Sequence, residues 1–383
     1  MPLTIPLRRA RLAGQLALQA SAAAASNDPL AVRELRAWPL REPESGRRYT
    51  VLRIETRGGL RGYGEASGIE LSGIATAQSL IAGLPASAYE VVARRLAPEP
   101  RVAAAVDMAL LDILGKAAKA PVFQVLGGPT RNKARALLAL PAQSDQSLAG
   151  SVRQAVQEGH RAFSVPVTKP EWRNQGREYV LKVKARADAW RAAAGPGADL
   201  VLRGDGHLNP GDAASIAAAL EKFHLLWFDE PCSLAALGAV RKIAAGNVTP
   251  LGFGVNLDHA SRFQDLLRED AVDILRPSLA LHGVAAIRRI AAIAETYYIA
   301  VAPHNAGGPI ATAAGLHAAA SIPNFFIQEI PHTPSGKDRS MRAEIAGLDL
   351  ESPSGGFLTL PATPGLGISV NESALEKYRE RAA

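Results

Sequence analysis

The sequence predicts an α/β fold in which an α+β unit precedes a closed β/α barrel, and three observations carry that expectation. A hairpin pattern and one long amphipathic helix come first, short β-forming runs alternate with alanine-rich helical stretches from Ala134 onward, and eight such runs can be counted. Eight strands in βα order suit a barrel better than an open sheet.

Length and composition set the frame. At 383 residues the chain exceeds one ordinary compact core, so two domains or one large barrel with additions is expected. Hydrophobic residues make up 48% and charged residues 21%, the balance of a globular protein rather than of a disordered chain or a membrane bundle. The net charge of +7 suits an anionic partner. Basic and acidic residues are interspersed, however, and form no aromatic-interleaved patch, so a small anionic substrate is preferred to nucleic acid, and no membrane partner is expected. Cys232 stands alone, which rules out an intramolecular disulfide and a cysteine-based metal cluster.

Residues 1–29 read as an eroded export signal or a disordered tail. Arg8-Arg9 precede an alanine-rich stretch ending in small residues, a twin-arginine-like pattern, while Arg11, Gln15 and Gln19 interrupt the apolar run. Cytoplasmic and periplasmic locations both stay open.

Residues 30–129 form the α+β unit. β segments run from Leu35, with the second at Tyr49–Thr56, a Gly58-Gly59 turn and a return through Gly62-Tyr63-Gly64-Glu65. After Pro100, Val102, Val106, Leu110, Ile113 and Ala117 recur at helical spacing, and the pattern stops near Pro121. Residues 130–340 hold the barrel, with strands expected at Leu137–Leu140, Ala162–Val167, Leu200–Arg203, Leu225–Phe228, Pro250–Phe253, Ile274–Arg276, Ile299–Ala302 and Phe325–Ile327.

Barrels carry chemistry at the C-terminal ends of their strands. There stand Asp205 and His207 after the third strand, Asp229 and Glu230 after the fourth, His304 and Asn305 after the seventh, and Glu329 after the eighth. Asp205 with Asp229 or Glu230 could share a divalent cation, because Mg²⁺ takes oxygen ligands and tolerates several waters. Such a cation stabilises an enediolate, and His207 and His304 are candidate acid and base near neutral pH.

Three stretches ahead of the barrel are Gly64-Glu65-Ala66, the helix from Val106 to Lys116 and Pro121-Val122-Phe123-Gln124-Val125-Leu126-Gly127-Gly128. With Phe228-Asp229-Glu230-Pro231, Ala302-Pro303-His304-Asn305 and the tail Pro364-Gly365-Leu366-Gly367-Ile368, they resemble the mandelate racemase and muconate lactonising branch of the enolase superfamily. Through Asp205-Gly206-His207 and Gly308-Pro309-Ile310 the sequence is most similar to the acid-sugar (galactonate-type) dehydratases.

The resemblance implies a modified TIM barrel, (β/α)7β, with an α+β capping domain and a C-terminal segment, residues 341–383, returning to it. It implies a homo-oligomer with one Mg²⁺, and a lyase or isomerase that abstracts the proton α to the carboxylate of an acid sugar. Carried over, Asp205 and Asp229 match metal ligands, with Glu230 beside them; His304 matches the base and His207 the dehydratase acid; Glu329 matches the residue that helps hold or polarise the substrate carboxylate, and Asn305, next to His304, is the other substrate-binding candidate.

The chain departs from the pattern at named places. Val255 stands where the third ligand is expected, Ser278 where an aspartate would orient the histidine, and Ser164 and Pro166 where relatives carry a lysine base, with Lys169 nearby. Ser278 is expected to hydrogen-bond the His304 ring without supplying charge. Asn256, Asp258 or Asp273 could supply the missing function if the strand ends lie a residue or two away. The alternative reading is a non-catalytic member that keeps the fold for binding or structure.

Overall fold

The computed structural model describes residues 28–380 apart from 143, 173, 174, 236, 247, 334 and 335. The expected export signal or tail lies outside the described residues except for its last two positions. Among the described residues, no helix is long and apolar enough to cross a membrane.

The chain opens with a three-stranded antiparallel sheet of β1 (Val32–Arg41), β2 (Arg48–Thr56) and β3 (Arg61–Ala66). The helix Pro100–Ala117 lies across this sheet, starting with proline at its first turn, where a missing N–H costs nothing. Val102, Val106, Leu110 and Ile113 are buried as their spacing predicts, and they pack with Leu52, Ile54 and Ile81. Close approach depends on β3 having no side chain at Gly64, since a Cβ there would lie 1.8 Å from Ala105 O.

Two carboxylates of the same helix act as joints. Asp107 Oδ2 accepts Val284 N at 2.7 Å and Ala285 N at 3.1 Å, where the helix Leu279–Glu295 breaks at Gly283. Asp112 accepts Tyr63 N at 3.0 Å and Leu366 N at 2.8 Å, tying the sheet to the tail. Amphipathic spacing alone would leave both acids on a solvent face; the neighbouring backbone supplies the donors that make their burial tolerable.

The barrel strands are β4 (Lys133–Ala139), β5 (Ala162–Pro166), β6 (Asp199–Arg203), β7 (Trp227–Asp229), β8 (Leu251–Phe253), β9 (Ile274–Leu275), β10 (Ala300–Val301) and β11 (Gln328–Pro331). They are parallel, each strand from β4 to β9 pairs with the next in chain order, and β11 pairs with β4. The circuit closes where Val301 bridges Phe325 in parallel and Phe326 N donates to Val301 O at 2.8 Å. Among the described residues an α-helix lies in each gap between consecutive strands, so the arrangement is a TIM-type barrel with a capping domain.

Most strands lie within two residues of the expected bounds, and two differ by more. The last begins three residues later than the apolar run Phe325–Ile327, because the pairing with β4 is made by Gln328–Pro331, where Gln328 Nε2 donates to Glu329 O at 2.8 Å and Glu329 pairs with Arg276. The first starts earlier, at Lys133, where β12 (Phe357–Thr359) adds to it antiparallel.

After the barrel, the helix Gly336–Ala346 and the helix Glu372–Lys377 carry the chain back over β1–β3. Glu372 accepts Arg53 Nη1 at 3.0 Å and Tyr63 Oη at 2.7 Å, and Glu376 accepts Trp38 Nε1 at 2.7 Å.

Candidate active site at the barrel mouth

Strand alternation builds the site. Val201, Trp227, Ile274 and Ile327 point into the barrel and pack with Leu137 and Ala162. Two residues further along the same faces come Arg203, Asp229, Arg276 and Glu329. The apolar layer therefore carries a ring of alternating charge at the C-terminal end of the strands.

Arg276 organises that ring. Its Nε donates to Asp229 Oδ1 at 2.9 Å, its Nη2 to Glu329 Oε2, and its Nη1 to Ala302 O at 2.5 Å. Asp229 Oδ1 also accepts Trp227 Nε1 at 2.8 Å. The Arg276 and Asp229 side chains are each 1% exposed. Burial works against the guanidinium charge, but Asp229 and Glu329 more than offset it and hold Arg276 above its ordinary range. Burial likewise works against the Glu329 carboxylate, and Arg276 followed by His304 outweighs it, so Glu329 is held low and charged.

A second pair lies on the rim. Arg203 Nε donates to Asp205 Oδ1 at 2.8 Å, and its Nη2 to Leu140 O at 3.1 Å. Asp205 is left-handed at φ 51° and Glu230 at φ 43°. Such backbone costs about 1–2 kcal/mol per non-glycine residue and is held by local bonds. Here Gly206 N donates to Glu230 O at 2.7 Å, and Glu230 N to Gly252 O at 2.8 Å. Glu230 Oε1 accepts Gly254 N at 2.6 Å and Val255 N at 2.8 Å. Burial, with the Asp229 charge behind it, pushes the Glu230 carboxyl up to about 7.

Above the ring lies a cavity of about 380 Å³ that Arg47, Arg203, Asn256, His304 and Glu329 help to line. His304 is set by backbone pairing: it bridges Ser278 in parallel, its N–H donates to Pro277 O at 3.0 Å, and its carbonyl accepts Leu279 N at 3.0 Å. Its Nε2 lies 3.7 Å from Glu329 Oε1, and its Nδ1 has no partner. Burial lowers its pKa against the opposing pull of Glu329, so the ring is neutral at pH 7.

The remaining candidates fall into different places. Ser278 is brought beside His304 by the backbone, but the expected bond to the imidazole is not formed, because the bridge aligns main chains and leaves Nδ1 unpartnered. His207 is exposed and does not line the cavity, so the acid and base candidates do not meet there. Asn305 lines the wall, yet its Nδ2 donates to Thr312 Oγ1 at 3.0 Å and its Oδ1 accepts Gly307 N at 3.1 Å, which holds the loop after β10.

Of the substitutes for Val255, Asn256 lines the cavity, whereas Asp258 lines a separate one beside Asp107 and His282. Asp273 Oδ2 accepts Leu251 N at 2.8 Å, at the start of β8 rather than its end. Lys169 lines yet another cavity, beside Tyr179 and Arg186.

Whether Mg²⁺ suits these residues can be judged from the donor set. Asp205 and Asp229 already pair with Arg203 and Arg276, Glu230 is spent on two backbone amides, and Val255 offers no ligating atom. A dication on Asp229 would share that carboxylate with the buried Arg276 guanidinium, and two cations held on one carboxylate repel each other. Among the described residues no three His, Cys, Asp or Glu side chains group to hold a metal ion. The expected ligand set of Asp205, Asp229 and Glu230 therefore does not fit Mg²⁺ in this arrangement.

Three arginines were not among the sequence candidates. Arg203 and Arg276 sit in the inward register of β6 and just after β9, and a charged residue closing an otherwise apolar strand is the signal that marks them. Arg47 comes from the capping domain, donating to Glu42 Oε2 at 2.6 Å and His332 O at 3.0 Å, and nothing local in the sequence marks it.

A capped barrel with its polar cluster at the strand ends has the architecture on which barrel enzymes carry their sites. Residues 147–374 match the family described as enolase C-terminal domain-like, and residues 41–127 match the mandelate racemase / muconate lactonizing enzyme N-terminal domain. The chain belongs to the mandelate racemase and muconate lactonizing branch of the enolase superfamily. It is 30% identical to a D-galactonate dehydratase of Verminephrobacter eiseniae, over 87% of this chain and 92% of that one. A D-galactonate dehydratase family member of Pseudarthrobacter chlorophenolicus is 27% identical over the same shares, 87% and 92%. The fold is shared with a mandelate racemase/muconate lactonizing enzyme-like protein of Rubrobacter xylanophilus, at a TM-score of 0.83 and 23% identity over 92% of this chain and 98% of that one.

Proposed function

We propose that the barrel mouth binds a small hydroxy carboxylate of the acid-sugar class, and that the chain is a lyase-type enzyme acting on it by dehydration. The observation that carries this reading is the cavity itself: it lies at the strand ends, with arginines Arg47 and Arg203 on its wall beside His304 and Glu329. Guanidinium groups recognise a carboxylate through paired N–H donors. The relatives named as D-galactonate dehydratases support the substrate class.

In this reading His304, neutral and facing the cavity, takes the proton α to the carboxylate while Arg203 and Arg47 meet the developing negative charge. His304, protonated by that step, returns a proton to the departing hydroxyl, so that water leaves; His207, exposed and outside the cavity wall, is not in place to serve as the acid. Glu329 steers the His304 ring from 3.7 Å, and Ser278 and Asn305 hold the main chain around it. The Mg²⁺ implied by the resemblance has no step here. A homo-oligomer is part of the proposal and is checked by light scattering.

A second reading, binding without turnover, is favoured by His304 Nδ1, which has no partner, so that the 3.7 Å approach of Glu329 to Nε2 is the one carboxylate contact of the ring among the described residues. A panel of aldonates decides. Thermal stabilisation together with a product lighter by one water supports the lyase; stabilisation without product supports the binding protein. No stabilisation by any member would defeat both.

A further inference from the structure

We infer that Arg276 takes the place of a divalent cation in this barrel, so that the carboxylates ending β7 and β11 are clamped by a buried guanidinium and the cavity above them works without metal. The inference concerns the same mouth as the proposed function but does not depend on which acid enters it.

Four observations converge. Asp229 Oδ1 receives two N–H donors from below, Trp227 Nε1 at 2.8 Å and Arg276 Nε at 2.9 Å, which orients its carboxylate into the barrel. The guanidinium spans onward to Glu329 and to Ala302 O, so its three nitrogens all have acceptors while it is almost wholly enclosed. It lies over the Trp227 ring at 5.2 Å, and the absent side chain of Gly252 makes room, since a Cβ there would lie 2.4 Å from Trp227 Cδ1 and 3.0 Å from Asp229 Oδ1. Finally, at the end of β8 the third carboxylate is replaced by Val255, and Glu230 is turned onto the Gly254 and Val255 amides.

These features belong together physically. Two buried carboxylates need a cation, and either a metal or a guanidinium can serve, but not both within a few ångströms. An arginine fixed by three acceptors cannot be chelated, exchanged or titrated away. Once it is in place, a ligand at Val255 has no metal to bind, and an apolar residue there carries no cost.

The test uses the full chain, dialysed against chelator, and the metal alone as probe. Melting temperature is followed in MgCl2 or MnCl2 at constant ionic strength up to roughly 20 mM, at which a site with a dissociation constant of about 0.2 mM would be about 100-fold saturated and plainly stabilised. The wild-type chain is expected to show no saturable rise. Val255→Glu alone should also show none, because Arg276 still holds Asp229, whereas Val255→Glu with Arg276→Gln should gain a saturable rise. A saturable rise in the wild type, or in Val255→Glu alone, would overturn the inference. If the double variant does not fold, the other two titrations still decide. Since no acid is present, failure of the aldonate panel and failure of this inference are read separately.

Discussion

Arg276 Nε and Asp229 Oδ1 meet 2.9 Å apart, beneath the cavity and out of contact with solvent. A guanidinium whose charge is balanced by Asp229 on one side and Glu329 on the other is neither an ordinary surface ion pair nor a dispensable one.

Arg276→Met should therefore cost about 3–5 kcal/mol, because it leaves two buried carboxylates without a counter-charge. Urea unfolding measures it. Adding Asp229→Asn in the same chain should recover part of the loss, and a variant as stable as the wild type would show that the pair carries no stability.

His304→Asn should keep ligand binding and lose turnover by about 10²-fold or more, the range for removal of a general base. Burial holds the imidazole below its ordinary 6.5, so the base stays unprotonated into mildly acid solution. The acid limb of kcat/KM should accordingly lie below pH 6.5 in the wild type and vanish in the variant.

Arg47→Ala tests the capping domain's share in recognition. Loss of a hydrogen-bonding charge is worth about 1.5–3 kcal/mol, so KM should rise roughly 10–100-fold with kcat little changed. Steady-state kinetics on the acid that the panel identifies provide the check.

His317 reports on stability against pH. It is fully buried, its Nδ1 accepts Phe123 N at 3.2 Å, and burial lowers its pKa to about 4 against the opposing pull of the Leu366 backbone. Between pH 6.5 and about 4 the unfolded chain binds a proton that the folded chain refuses, so the His317 contribution is complete above 6.5 and drains away toward 4. Burial raises Glu65 and Asp107 to about 7, which acts in the opposite direction, so the wild-type curve alone is not diagnostic. The difference between wild type and His317→Gln isolates the histidine: the variant should lose less stability on acidification, and identical pH slopes would refute the assignment.

Gly252→Ala should destabilise by about 1–3 kcal/mol through overpacking against Trp227 and Asp229. Thermal unfolding provides the measure. A neutral effect would show that the Trp227 ring can yield.

How much was legible varied with range. The β runs were visible because strands buried on both faces read as short apolar segments, and the helix Pro100–Ala117 because Val102, Val106, Leu110 and Ile113 keep its period. Strand-end position was enough to bring His304, Glu329, Asp205, Asp229 and Glu230 to one cavity wall. It misjudged His207, because a residue two positions beyond a left-handed Asp205 need not follow the strand's direction. It also credited Ser278 with a bond that main-chain pairing does not deliver.

By itself, then, the sequence determined the capped barrel, the family and the strand ends at which polar residues gather, since these follow from local periodicity and from motifs contiguous in the chain. Only the tertiary structure decided what those carboxylates face. Arg276 is 47 residues from Asp229 and 53 from Glu329 along the chain, and their meeting depends on the shared inward register of β7, β9 and β11. Charge compensation in a buried site is a matter of a few ångströms, and that distance is set by packing rather than by spacing in sequence.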